Sequence, residues 1–200
     1  TRHWNDVIAT SYNALEAVQC PSQGMVPNWA TLELDPSGKV IHAGGQFEGM
    51  GTPQSEFGED ASRAIWRVAL DAVLFPKQRN LAAASFLSPV VERLLFAYNR
   101  RYFRHFNPAA FTSCATEGFD ENITVFSEGW VQETFLYGPI VSALSVAMPE
   151  LMSDTIQQDM IDTVSRKLNR GIAETYYSRC WAALSSLMLN GAIASATEVL

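Results

Sequence analysis

The chain is short of the residues that most readily announce a function. Its three cysteines, Cys20, Cys114 and Cys180, show no C-x-x-C or His-paired spacing, so neither a metal knuckle nor a dense disulfide framework is indicated. They read as buried or idle thiols, with one disulfide left open. The three histidines, His3, His42 and His105, stand far apart and share no partner, so no metal and no other cofactor is expected. Fourteen basic residues face 21 acidic ones, giving a net charge of -7 with no Lys/Arg run, which argues against a nucleic-acid partner and against polyanionic substrates. An acidic surface suits a neutral or cationic ligand, or simply solubility. No apolar run approaches the roughly 18 residues of a transmembrane helix, so no membrane partner is expected. There is no repeat of about 34 residues, which weakens a solenoid reading. No signal peptide precedes Thr1, and a chain opening on Thr1-Arg2-His3 inside a helical pattern reads as trimmed or incomplete.

What is present is helical periodicity in one domain, residues 1–200, with an apolar share of 48%, enough for a core. Trp4, Ile8, Ser11, Leu15 and Val18 mark the face of a first helix, ended by Cys20-Pro21. Residues 22–58 hold seven of the twelve glycines and read as a long loop; Pro36-Ser37-Gly38 there can join a hairpin of Thr31–Leu34 and Lys39–His42. A second helix runs from about Asp60 to Phe75 and stops at Pro76. A short helix near Arg79–Phe86 follows, and Ser88-Pro89 then starts another, to about Tyr102. A second long loop spans about Arg104–Tyr137. Gly138-Pro139 opens a helix ending at Met148-Pro149, Ser153 caps the next to about Asn169, and Tyr176–Asn190 is closed by Gly191. The fold class is all-α, with helices in pairs joined alternately by short and long connections. In a layered helical toroid such long loops gather at one end, where a site can be assembled.

Three stretches can carry chemistry. Asp60, Arg63, Arg67 and Asp71 recur at helical spacing along one stripe, while Ile65, Val68, Ala72 and Phe75 line another that packs. Asp60 can act as a general base toward a held water, with Arg63 one turn on to bind a hydroxyl or keep the carboxylate ionised. By spacing alone the same residues also make an ordinary helix-start acid and a surface ion pair. Gly24-Met25-Val26-Pro27-Asn28-Trp29 fixes a large aromatic beside a rigid proline, as stacking on a sugar ring would need; the other reading is a loop-anchoring Trp. Tyr176-Tyr177-Ser178 opens the last helix and can turn one ring inward and one hydroxyl toward a cleft. Trp66, on the Asp60 helix, reads as core.

Taken in order, the G-(L/M)-V-P-x-W stretch, the F-x-x-D-A-x-R-x-x-W-R helix of Phe57–Arg67 and the Tyr-Tyr-Ser helix closed by Gly191 resemble glycoside hydrolase family 8. That family contains endoglucanases and xylanases on an (α/α)6 barrel. The resemblance implies a toroid of twelve helices, of which this chain supplies about six or seven, as the C-terminal half of a catalytic domain. It implies inverting hydrolysis of β-1,4 bonds in cellulose, β-glucan or xylan, with the acid and base carboxyls about 6.5 to 9.5 Å apart. By motif match Asp60 is the base, Arg63 lies in the water-binding subsite, and Tyr176, Tyr177 and Trp29 contact sugar. A secreted or periplasmic setting follows from the same resemblance.

The chain departs from the family pattern in ways that matter. Glu59 stands where the family has Tyr before the base, and Ala64-Ile65 where it has Val-Pro. The Ser-Glu-Gly-x-x-Tyr-Gly segment bearing the acid, and the Ala-Thr-Asp-Gly-Asp motif after it, do not occur upstream of Asp60; Ser127-Glu128-Gly129 echoes the first only in part and reads as coincidence. The catalytic acid is therefore expected outside these residues. A half barrel would expose an apolar helix face, so self-association is expected. The competing reading is a non-catalytic helical carbohydrate-binding or interaction module, which would bind oligosaccharide without releasing product.

Overall fold

A computed structural model describes residues 2–20, 24–27, 30–44, 59–100, 103, 137–168 and 176–193. Six helices and one hairpin make up the described residues: α1 (Arg2–Val18), β1 (Thr31–Leu34), β2 (Val40–Gly44), α2 (Glu59–Leu74), α3 (Pro76–Asn99), α4 (Gly138–Ala147), α5 (Asp154–Leu168) and α6 (Tyr176–Leu189). The described residues are mostly helical, as their periodicity demands.

The core is built around α4. Gly138-Pro139 at its start supplies a preset φ and dispenses with a backbone donor that a first turn cannot use, and residues 138–145 are all buried. A helix apolar on every side must be covered on every side. α4 packs most heavily on α2 and α6, and α5 covers it further. α2 also packs along α3, and α1 lies on β2 and, more lightly, on α3. Ala61, Ile65, Val68, Ala69 and Ala72 form the buried stripe of α2, as their spacing requires, whereas Phe75 at its end is exposed. Trp4 at the start of α1 is 71% exposed, so the expected apolar face of that helix packs only from Ile8 onward, through Tyr12, Leu15 and Val18.

The hairpin forms where Pro36-Ser37-Gly38 predicts it. β1 and β2 pair antiparallel with Leu34 opposite Val40 and Leu32 opposite His42. Asp35 closes the turn: its Oδ1 accepts from the Ser37 amide (2.8 Å), the Ser37 hydroxyl (2.6 Å) and the Lys39 amide (2.9 Å). Those donors, the Ser37 hydroxyl first, hold its carboxyl below the usual carboxylate range.

One boundary is corrected. Ser88-Pro89 does not start a helix, because Pro76–Asn99 is continuous with Pro89 inside it. Pro76 takes the N-terminal position after the single linking residue Phe75. The Ser88 hydroxyl donates back to the Ala84 carbonyl (2.7 Å) instead of capping a new turn. Burial of Phe86, Leu87, Val90, Val91 and Leu94 on either side of Pro89 outweighs the roughly 3 kcal/mol that proline costs in a helix interior. Contrary to the expectation from apolar runs, the stretch Leu81–Asn99 is long and apolar enough, by length and composition, to cross a membrane. Its buried side chains, however, belong to the same core cluster as those of α2 and α4.

Candidate functional site

Sequence separates the helices unevenly. α2 and α3 are joined by Phe75 alone, and α4 and α5 by residues 148–153 with a 3-10 turn at Pro149–Leu151. The intervals 45–58, 100–137 and 169–175 lead into the N-termini of α2, α4 and α6, while residues 19–30 lead from α1 into β1. The candidate residues sit at those same ends: Asp60 and Arg63 in the first turns of α2, Tyr176 and Tyr177 in the first turn of α6.

The two helices touch through a tryptophan pair. Trp66 of α2 and Trp181 of α6 meet edge to face, with ring centroids 5.8 Å apart and planes at 77°. Both are buried, as expected of Trp66. Each lies within about two turns of its helix N-terminus, so both N-termini are held within about 10 Å of the contact along their axes. Trp66 Nε1 is buried without a hydrogen-bond partner, and so are the hydroxyls of Ser145 on α4 and Ser185 on α6. Among the described residues these three atoms lie on α2, α4 and α6, and α4 packs on both of the others.

The polar stripe of α2 divides in function. Arg63 is half-buried and Arg67 exposed. Asp71 accepts a hydrogen bond from the Tyr12 hydroxyl at 2.7 Å, which makes the C-terminal end of the stripe a tether to α1. Tyr176 is 81% exposed, and its hydroxyl is raised above the ordinary tyrosine pKa by its side-chain hydrogen bond with Cys180 one turn on. The side chains of Asp60, Glu59 and Tyr177, and all of Trp29 and of Ser127-Glu128-Gly129, lie outside the described residues.

Two features went unread in the sequence. Tyr137, at the entry to α4, is fully buried against Phe103 (centroids 5.4 Å apart, edge to face), and Phe103 in turn stacks near Tyr98 at 5.9 Å. Burial pushes the Tyr137 hydroxyl pKa well up. Tyr98 donates to Asp159 of α5 at 2.7 Å. Only the aromatic richness around Phe103 hinted at this cluster. The second is covalent: Cys20 is disulfide-bonded, with its partner outside the described residues, while Cys180 is a free, half-buried thiol. The reading of all three cysteines as idle thiols therefore fails at Cys20. Among the described residues no cluster of His, Cys, Asp and Glu could hold a metal.

No family model, curated protein or solved structure matches the chain. The case for any function rests on its own residues and their placement.

Proposed function

We propose that this chain is the base-bearing part of an inverting β-1,4-glycosidase acting on a glucan or xylan. The observation that carries the reading is the Trp66–Trp181 contact, which joins the helix of Asp60 and Arg63 to the helix of Tyr176 and Tyr177 at one point, within about two turns of each helix start. A carboxylate, a guanidinium and aromatic rings are the groups that glycoside hydrolysis uses: a base for water, a donor for hydroxyls, and flat faces for sugar C–H groups.

The packing pattern supports an (α/α)6 toroid as the finer architecture. α2, α4 and α6 pack in succession, while α3 lies along α2 and α5 along α4, an alternation of inner and outer helices. The intervals 45–58, 100–137 and 169–175 precede the inner members. The net charge of -7 is compatible with a neutral polysaccharide. A disulfide at Cys20 supports a secreted or periplasmic setting, since such bonds persist in oxidising compartments. Exposed Trp4, Val7 and Leu81 supply apolar surface for the proposed self-association.

In this reading Asp60 takes the proton of the attacking water, Arg63 keeps that carboxylate ionised and holds a sugar hydroxyl, and the acid comes from outside these residues. Isothermal titration of cellopentaose and xylopentaose into the chain tests it. Saturable binding, weakened on Arg63→Ala and Tyr177→Ala, is expected. Absence of binding to either sugar would end the carbohydrate reading.

A further inference from the structure

Among the described residues three side-chain polar atoms are buried with no partner in the protein: the indole Nε1 of Trp66 on α2, the hydroxyl of Ser145 on α4 and the hydroxyl of Ser185 on α6. Their residues are 7%, 7% and 0% exposed. A serine in a helix always has one bond within reach, because its hydroxyl can turn back to a carbonyl about one turn earlier. Thr10 and Ser11 of α1, Ser88 of α3 and Ser142 of α4 do so, at 2.8, 2.8, 2.7 and 3.1 Å. Ser145, one turn after Ser142 on the same helix, does not, and neither does Ser185. Both hydroxyls are therefore turned away from their own helix's carbonyls.

The surroundings make that costly. α4 is buried along residues 138–145 and packs on α2 and on α6. A buried donor or acceptor with no bond forfeits its whole hydration, and three such losses are a large share of a small domain's stability. Bound water is the ligand that fits these atoms: it is small, it both donates and accepts, and it can complete its bonds on helix carbonyls, which keep a second lone pair. Globular proteins hold on the order of one buried water per about 27 residues, so three in a chain of 200 is an ordinary load. We infer that the α2–α4–α6 layer is internally hydrated, with water bound to Trp66 Nε1, Ser145 Oγ and Ser185 Oγ. This hydration belongs to the fold and holds whether or not the chain binds sugar.

Oxygen-17 relaxation dispersion of the 200-residue chain counts its long-lived internal waters, and Ser145→Ala and Ser185→Ala should each lower that count by about one. In the 15N-labelled chain the Trp66 indole N–H, assigned from Trp66→Phe, should show a rotating-frame Overhauser cross-peak to water. Urea midpoints supply an independent sign. Alanine gains helix propensity over serine, and Ser85→Ala at an exposed position of α3 measures that gain alone. Where water satisfies the buried hydroxyls, Ser145→Ala and Ser185→Ala should lower the midpoint relative to Ser85→Ala. Where a hydroxyl is dry and unpaired, its removal relieves a penalty and raises the midpoint instead. A midpoint at or above that of Ser85→Ala, or an unchanged water count, overturns the hydration of that serine. An upfield-shifted Trp66 N–H without a water cross-peak, as donation to the face of the Trp181 ring would give, overturns it at Trp66.

Discussion

Three glycines with nearly the same backbone conformation but different surroundings give a controlled test of the packing around Pro89. Gly24, Gly38 and Gly191 have φ of 70, 83 and 70. Alanine at each meets the left-handed penalty of roughly 1–2 kcal/mol, partly offset by about 0.4–1 kcal/mol from a stiffer unfolded chain. At Gly38 and Gly191 a Cβ would meet nothing within 4 Å, so each Gly→Ala change should cost on the order of 1 kcal/mol. At Gly24 the same Cβ would strike the Val90 nitrogen at 2.6 Å, the Pro89 carbonyl carbon at 2.7 Å and the Pro89 Cβ at 2.9 Å. These are backbone and ring atoms of α3 and cannot rotate away. Overpacking of this kind adds about 1–3 kcal/mol, so Gly24→Ala should cost roughly 2–4 kcal/mol in all. Urea unfolding followed by circular dichroism, with the three variants compared at equal slope, reads the difference. A Gly24→Ala cost within about 0.5 kcal/mol of Gly191→Ala would refute the close approach of the loop to α3.

Other expectations follow from the same contacts. A double-mutant cycle of Trp66→Leu and Trp181→Leu should return a coupling of about 0.5–1.5 kcal/mol for the edge-to-face pair, and zero coupling would undo the contact of α2 with α6. Because burial raises the Tyr137 hydroxyl above its unfolded value near 10, its contribution is complete below that pH and is lost as the pH climbs beyond it. Urea midpoints measured from pH 8 to 11.5 should therefore fall more steeply for wild type than for Tyr137→Phe. Thiol titration of the denatured, unreduced protein should find one free thiol per chain, that of Cys180; three would show Cys20 to be unpaired.

Helices whose patterns are strong and whose ends carry punctuation were legible in advance. Gly138-Pro139 opens α4, Gly191 with φ +70 closes α6, and Asp35 with Pro36-Ser37-Gly38 closes the hairpin, all by local chemistry that a sequence displays. Pro89 was misread because Ser-Pro is also a good helix start; only tertiary burial on both sides of it keeps α3 whole. Of the candidate site, the separation of the α2 stripes follows from periodicity, whereas Trp66 lies between the stripes and its burial is fixed by its packing on Trp181. The Asp71–Tyr12 and Tyr98–Asp159 bonds do not, since they join residues 59 and 61 positions apart and leave no local pattern. The burial of Tyr137 was hidden for the same reason.

The central claim is that Asp60 serves as a general base. β-Cellobiosyl and β-xylobiosyl fluoride probe it alone, because fluoride departs without a proton and the reaction needs no catalytic acid. The chain should release fluoride and yield the α-anomer first, and Asp60→Asn should slow release by about 10²–10⁴-fold while the fold is retained. Fluoride release no faster than in buffer, or release undiminished by Asp60→Asn, would contradict the account.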